Sequence, residues 1–393
     1  MEDDVSSRSW RLPSHPNSRH RHPGKYSAAA RRDGRRLASF SGAGTRGART
    51  STTSSRGLLE EQVENGAGAH PRHRQRPHLD AVRAVHGVLR AADAALRPGG
   101  LLHILDSPLR ELPVPGAFRS CNATGCVYDY RYTVGFTAEY LAADTVTVGD
   151  ASFPGVAFGC STANGGDMDN TSGIVGLGRS NLSLVSQLGV GRFSYCLRSD
   201  EDAGASPILF GSMANVTGDE VQSTPLIQNP VAGRRAPYYY VNLTGITVGA
   251  SELAVTSGTF GFTAAGDGGV IVDSGTTFTY LAEAGYAMVR QAFLSQMAGL
   301  EKVSGEPYDF DLCFAAGAAA AVPRLVLRFD GGGAEYEVPR RSYFDAVDER
   351  GSVACLLGRV RTVIGNVLQM DLHVLYDLDG ETFSFAPADC AGL

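Results

Sequence analysis

One segment, GGVIVDSGTTFTYL at residues 268–281, constrains this chain more than any other. The β-branched run at 270–272 predicts a buried strand that ends at Asp273. A tight turn should follow, because Gly275 tolerates backbone shapes that other residues resist. A carboxylate at the end of an apolar strand costs free energy unless it is paired or functional. Asp273 is therefore either a residue that caps the turn through nearby N–H groups or a catalytic residue, and the segment alone leaves both readings open.

The charge divides the 393 residues into two different parts. Residues 1–100 hold 18 Lys and Arg against 9 Asp and Glu, whereas residues 101–393 hold 17 against 32. The first part has little apolar periodicity, so we expect it to be disordered. A basic arm for nucleic acid is the functional alternative, but a basic tail without a folded reader domain is weak evidence, and we predict no nucleic-acid partner. Since the chain has only two Lys, an aberrant segment, from a wrong reading frame or a mis-joined exon, is a third interpretation.

The rest of the chain has the pattern of an all-β protein. Short runs of β-branched and aromatic residues are separated by Gly, Pro and Ser, and those around GFTAE, residues 135–139, predict a hairpin. Residues 283–297 are the best helix candidate, because apolar side chains recur there at spacings of three and four. A weak repeat relates residues 172–188 to 361–377, which suggests two similar lobes.

Cysteine and sequon usage favours an oxidising compartment. Seven cysteines all follow residue 120, and five N-x-S/T sequons predict a glycoprotein, at Asn122, Asn170, Asn181, Asn215 and Asn242. No secretory signal is visible after Met1, because acidic residues follow it instead of a basic start and an apolar run. No stretch reaches the roughly 18 apolar residues of a membrane span, so we predict none.

Other chemistries lack their signatures. The sequence has neither HExxH nor paired CxxC, so we predict no metal site, and it has no phosphate-binding loop, so we predict no cofactor. Only His103 and His373 lie after residue 100, and the sequence has no G-x-S-x-G, which argues against a Ser-His-Asp hydrolase.

Many motifs in residues 121–393 resemble the pepsin-like aspartic proteases, in particular their plant nepenthesin-like branch. They occur in the family's order: FGCSTANGG, SGIVGLGRSNLSLVSQL, FSYCL, VDSGTTFTYL, FDLCF, VIGNVLQMDLHVLYDL and FSFAPADC. The resemblance implies an all-β, bilobal fold with a peptide or protein substrate in the inter-lobe cleft. It also implies a monomer that is extracellular or vacuolar. Asp273 would be one of two catalytic carboxyls, and the active-site turn would comprise Ser274, Gly275 and Thr276.

The first catalytic motif of that family is absent. Residues 1–120 contain no D-T-G or D-S-G, and the nearest candidate is Asp106 in LLHILDSPLREL, where Pro108 stands at the Gly position. Proline fixes φ near −65° and cannot make the same turn. In the flap, Tyr132 and one Gly of the family pattern remain, so Tyr132 is the candidate flap residue. We therefore predict an incomplete N-terminal lobe, with divisions at 1–115, 116–223 and 224–393.

The same resemblance implies how the cysteines pair. Cys313 should join Cys355 within the second lobe, and Cys196 should join Cys390. Cys121 and Cys126 are candidates for a local pair, which leaves Cys160 as the odd cysteine.

The predicted function is aspartic-type endopeptidase activity at acid pH, impaired in this chain because one carboxyl motif is missing. The alternative is a catalytically inactive, protease-like binding protein, such as a glycanase-inhibitor-like module.

Overall fold

A computed structural model describes the strands before residue 175 and most of the chain after it. The described ranges after that point are 175–199, 206–231, 238–315, 321–348, 350–360 and 362–393. The predicted 1–115 segment lies outside the described residues except for three short strands.

Strands dominate the described residues, which confirms the predicted all-β class. The strands are β1 Ser9–Leu12, β2 Arg83–Ala84, β3 Gly87–Val88, β4 Phe118–Asn122, β5 Gly125–Arg131, β6 Gly135–Val148, β7 Ala151–Gly166, β8 Arg192–Cys196, β9 Ser206–Phe210, β10 Gln222–Pro225, β11 Tyr239–Val241, β12 Leu243–Val248, β13 Ser251–Glu252, β14 Val270–Val272, β15 Thr279–Leu281, β16 Lys302–Val303, β17 Cys313–Ala315, β18 Leu325–Phe329, β19 Glu335–Val338, β20 Phe344–Ala346, β21 Val353–Leu356, β22 Gly358–Val360, β23 Val363–Ile364, β24 Leu372–Asp377 and β25 Thr382–Pro387. The α-helices are α1 Leu184–Leu188, α2 Ser257–Phe260, α3 Glu283–Gln296, α4 Arg340–Tyr343 and α5 Asn366–Gln369, and single 3₁₀ turns cover Gly211–Met213 and Glu306–Tyr308.

A four-stranded antiparallel meander, β4-β5-β6-β7, forms the first sheet. It contains the predicted hairpin, in which Val127 pairs with Tyr140 across β5 and β6. Its described core is small and centres on Cys126, Leu141 and Ala157.

The largest sheet has six strands, in the order β1-β9-β8-β24-β25-β10. Strands β8 and β9 come from the predicted 116–223 lobe, whereas β24 and β25 come from the end of the chain. Tyr195 on β8 lies opposite Val374 on β24, and the Cys196–Cys390 disulfide joins the same two parts. The two halves of the folded region are therefore bound together by main-chain hydrogen bonds as well as by a covalent bond.

A five-stranded sheet, β11-β14-β23-β15-β22, positions the segment that carries Asp273. Strand β14 runs parallel to β23, with Val272 opposite Ile364. Strand β23 belongs to the second copy of the predicted repeat, so that copy lies beside the aspartate strand. All three residues of β14 are buried because the sheet is covered on both faces.

Helix α3 packs over this part of the molecule, as its spacing predicts. Tyr286, Val289 and Phe293 are buried on its inner side, and Met297, which caps its end, is buried too. Among the described residues, no helix combines the length and the apolarity that crossing a membrane requires.

Candidate active site

The carboxylate of Asp273 lies directly after strand β14 and is buried, with 3% of the residue exposed. The Gly275 N–H donates to its Oδ1 atom at 2.8 Å, and the Thr276 hydroxyl donates to its Oδ2 atom at 2.5 Å. Each carboxylate oxygen thus accepts a hydrogen bond from the turn that follows it. Hydrogen bonds of this kind stabilise the charged form of a carboxyl group and hold it in one orientation.

The neighbouring strand β23 fixes the position of this turn. The Asp273 N–H donates to the Ile364 carbonyl at 3.0 Å, and the Asn366 N–H donates to the Thr276 carbonyl at 2.7 Å. Gly365 lies between these two contacts, against the backbone of the turn. The glycine that follows the two apolar residues of β23 is therefore what lets the two backbones approach.

A small cavity opens beside the carboxylate. Its volume of about 20 Å³ leaves room for about one water molecule. The lining residues are Leu177, Gly178, Phe193, Tyr195, Tyr239, Val272, Asp273, Ser274 and Tyr376. Asp273 is the one carboxylate among these described lining residues.

Phenol groups face Asp273 across this cavity. Burial raises the pKa of Tyr376 well above its usual value, and the nearby Tyr195 and Asp273 add to the effect. Burial also raises the pKa of Tyr239, whose hydroxyl donates to the Leu177 carbonyl at 2.6 Å. Because these phenols stay neutral at acid and neutral pH, they line the cavity beside Asp273 without adding charge to it.

The other predicted members of the active site lie outside the described residues. They are Asp106, the candidate second carboxyl, and Tyr132, the candidate flap residue. Ser274, Gly275 and Thr276 do form the turn around Asp273. The catalytic roles of Asp106, Tyr132 and the three turn residues remain predictions.

Two disulfides join the cysteine pairs that the resemblance implies. Cys313 bonds to Cys355 with a Cα–Cα distance of 4.1 Å, and Cys196 bonds to Cys390 at 5.2 Å. Cys126 is also disulfide-bonded. In the register of β4 and β5 its Cα lies opposite that of Cys121. The structure describes the strands that carry Cys121 and Cys160 but not the side chains of these two residues.

Sequence reasoning missed the polar groups that surround the turn. Tyr195, Tyr239 and Tyr376 line the cavity, and the buried amides of Asn366 and Gln369 lie behind the turn. The signal was present in VIGNVLQM, where two amides interrupt an otherwise apolar run. Buried polar side chains of this kind generally bind specific partners.

The described residues contain no group of three or more His, Cys, Asp and Glu side chains placed to hold a metal ion. Among the described residues, the site comprises the Asp273 carboxyl, the turn that holds it and the neighbouring phenols.

Two protein-family models match the chain. Residues 110–212 match the model described as xylanase inhibitor N-terminal, and residues 238–387 match the model described as xylanase inhibitor C-terminal. Together the two matches cover more than half of the chain.

Curated relatives include proteases of plants. The chain is 36% identical over 281 residues to aspartic proteinase nepenthesin-1 of Nepenthes gracilis, a match that covers 69% of this chain and 62% of that protein. It is 33% identical over 280 residues to the protein aspartic protease in guard cell 2 of Arabidopsis thaliana, covering 69% of this chain and 58% of that protein. The chain thus spans about three fifths of the length of these relatives.

Solved structures share the fold. The basic 7S globulin from soybean superposes with a TM-score of 0.59 at 20% identity, covering 84% of this chain and 88% of that one. Conglutin gamma, from lupine seeds, superposes with a TM-score of 0.56 at 20% identity, covering 72% of this chain and 79% of that one.

Proposed function

Because this chain belongs to the pepsin-like aspartic proteases, in their nepenthesin-like branch, we propose that it is an aspartic-type endopeptidase with Asp273 as one catalytic carboxyl. The observation that carries the proposal is the buried Asp273 carboxylate, held through both oxygens by the Gly275 N–H and the Thr276 hydroxyl. A carboxyl that is oriented before substrate arrives can take part in proton transfer without reorganising.

The reaction needs a second carboxyl beside Asp273. Two carboxyls that lie close together cannot both ionise easily, so they share one proton. The ionised member takes a proton from water as that water attacks the scissile carbonyl, and the protonated member stabilises the developing oxyanion. The pair titrates as a unit and works best in acid.

Asp106 is the proposed second carboxyl, and Tyr132 the proposed flap residue that closes over the substrate. Pro108 opposes the turn that Asp106 would need. We therefore propose that this endopeptidase activity is impaired in the chain, to little or none, because removing one member of a cooperating catalytic unit costs orders of magnitude in rate.

The proposed substrate, oligomeric state and compartment follow from the family. The substrate is a peptide or protein segment bound in the cleft between two lobes, and the enzyme is a monomer that is extracellular or vacuolar. Disulfides persist in such oxidising compartments. Asn181 and Asn215 are exposed on the folded surface, so they are the proposed glycosylation sites among the described sequons.

Cleavage of a denatured protein at about pH 3–5 tests the endopeptidase. We expect little or no cleavage by the chain as written, and none by Asp273→Asn. Robust cleavage that Asp273→Asn abolishes would refute the low activity and support the role of Asp273. If Asp106→Asn abolished that cleavage too, Asp106 would be identified as the partner.

A second candidate is a protease-like binding protein without catalytic activity. Two observations favour it: the single carboxylate among the described cavity residues, and the matches to models described as xylanase inhibitor domains. The test is inhibition of plant-cell-wall xylanases by the purified chain. Inhibition that is unchanged in Asp273→Asn would favour this function, and no inhibition together with cleavage would exclude it.

A further inference from the structure

Helix α5 carries two buried amide side chains, one at each end. Asn366 is 1% exposed and Gln369 is 2% exposed. Burying an amide is unfavourable unless its polar atoms find partners. Their partners therefore indicate why amides occupy these positions.

The amide of Asn366 holds the turn that binds Asp273. Its Nδ2 atom donates to the carbonyls of Ser274, at 3.2 Å, and Thr276, at 3.0 Å. These carbonyls flank Gly275, whose N–H donates to the Asp273 carboxylate. Fixing the two carbonyls therefore also fixes the groups that hydrogen-bond to the carboxylate.

The other end of this amide is left unsatisfied. The Oδ1 atom of Asn366 is buried and accepts no hydrogen bond from any residue that the structure describes. A residue selected only for packing would avoid this penalty. The donor end of the amide is thus what the position requires.

Gln369 connects the same helix to the other half of the folded region. Its Nε2 atom donates to the Ile364 carbonyl at 3.0 Å, which also accepts the Asp273 N–H. Its Oε1 atom accepts a hydrogen bond from the Tyr195 hydroxyl. That hydroxyl lies 3.2 Å from the Tyr376 hydroxyl beside the cavity.

The main chain keeps the two ends of this connection together. Leu197 forms a bridge with Met370, directly after α5, and the Asp371 N–H donates to the Leu197 carbonyl at 2.8 Å. Tyr195 therefore cannot move away from Gln369 unless these contacts also break.

We propose that Asn366 and Gln369 are positioning residues, through which Tyr195 in the first half of the folded region stabilises the hydrogen-bonded geometry of Asp273. We call this set of hydrogen bonds, from Tyr195 through Gln369 and Asn366 to the Asp273 turn, the relay. Its function rests on the catalytic role proposed for Asp273. Equilibrium unfolding measures the relay without any cleavage, so its failure is distinguishable from failure of the proposed function.

A double-mutant cycle tests the Asn366 end. Asn366→Ala is made in the natural chain and in the Asp273→Asn chain, and the midpoint of urea unfolding is measured for all four proteins at pH 6. We expect Asn366→Ala to lower the midpoint more in the natural chain. The reason is that Asn366 holds the turn, and only the Asp273 carboxylate has two oxygens that accept hydrogen bonds from that turn. If Asn366→Ala does not fold, Asn366→Ser, which keeps one donor, replaces it.

Gln187→Ala is the matched control, because Gln187 also binds backbone groups through its amide. It bonds to the N–H and carbonyl of Ala157 and to the carbonyl of Leu182, away from Asp273. It should lower the midpoint equally in both backgrounds. If Asn366→Ala also lowers the unfolding midpoint equally in the natural chain and in the Asp273→Asn chain, the proposal is overturned.

The Gln369 end is tested with Tyr195→Phe. We expect this change also to lower the midpoint more in the natural chain than in the Asp273→Asn chain, and we expect the difference to vanish when Gln369→Leu is present. A difference that persists with Gln369→Leu would mean that Tyr195 acts across the cavity directly. Either that result or no difference at all would overturn the relay.

Discussion

Gly365 lies so close to Phe278 that a Cβ atom added to Gly365 would stand 2.2 Å from the Phe278 carbonyl oxygen. The Thr276 carbonyl would lie only 2.8 Å away. Both obstacles are backbone atoms of the segment that follows Asp273, so neither can rotate aside. The glycine is therefore required by the close approach of strand β23 and the turn, and not by an unusual φ, which is −80°.

We predict that Gly365→Ala destabilises the protein by about 1–3 kcal/mol, because overpacking forces the backbone to shift. Gly358→Ala in the same sheet is the control, since its added Cβ would lie 3.7 Å from the nearest atoms. The measurement is urea unfolding followed by far-UV circular dichroism. Equal unfolding midpoints for the two variants would contradict the prediction.

Thr276→Val should destabilise the protein by about 1–3 kcal/mol, because the buried Asp273 Oδ2 atom loses the hydroxyl donor while the side-chain volume stays similar. Thr244→Val removes an exposed hydroxyl that donates to the Arg328 carbonyl at 3.2 Å. We expect that control to change stability by less than about 0.5 kcal/mol. Chemical denaturation at pH 6 compares the two, and a smaller effect at Thr276 than at Thr244 would argue against a carboxylate held by this turn.

Removing the Cys313–Cys355 disulfide by the double change to Ala should cost about 2–4 kcal/mol, because the unfolded chain regains the freedom of a long loop. The Cys196–Cys390 bond spans 194 residues against 42, so its removal should cost about 1.4 kcal/mol more in the chain-entropy model. Unfolding of the two double variants under non-reducing conditions measures this order. The reverse order would show that native-state effects outweigh loop length.

His373 should make the protein less stable in mild acid. Burial lowers the pKa of His373 below its usual value of about 6.5. As the pH falls below about 6.5, the unfolded chain binds a proton at this site before the folded protein does, so stability decreases until the pH passes the folded pKa. Its Nε2 atom lies 3.2 Å from the Ser194 hydroxyl, a contact that a Gln amide can replace.

We therefore expect His373→Gln to reduce the loss of stability between pH 7 and pH 5, as measured by urea unfolding at each pH. At pH 8 the imidazole is neutral in both the folded and the unfolded protein, so the stability measured there is the baseline for each protein. An unchanged slope between pH 7 and pH 5 would contradict the prediction.

The sequence predicted those features that depend on local pattern. The strand before Asp273, the turn after it and the helix at 283–297 all follow from the spacing of apolar residues and from Gly275. The disulfide pairs came instead from the family resemblance, because spacing alone does not determine which cysteines meet.

Other features depended on contacts between distant segments, which no local pattern encodes. Tyr195 and Tyr376 lie 181 residues apart in sequence, yet their hydroxyls lie 3.2 Å apart. Nothing in the residues next to Tyr239 in the sequence indicated that it lines the cavity beside Asp273. The shared six-stranded sheet was missed for the same reason, since its central pair joins β8 to β24.

That central pair sets the order in which the molecule can be completed during synthesis. Strand β8 leaves the ribosome long before β24 exists, and Cys196 must wait for 194 further residues before Cys390 can reach it. Until then one edge of β8 has no strand to pair with, and an unpaired edge is open to pairing with other chains. A nascent chain arrested before residue 372 should therefore depend on chaperones, because it lacks β24 and β25, the strands that complete this six-stranded sheet.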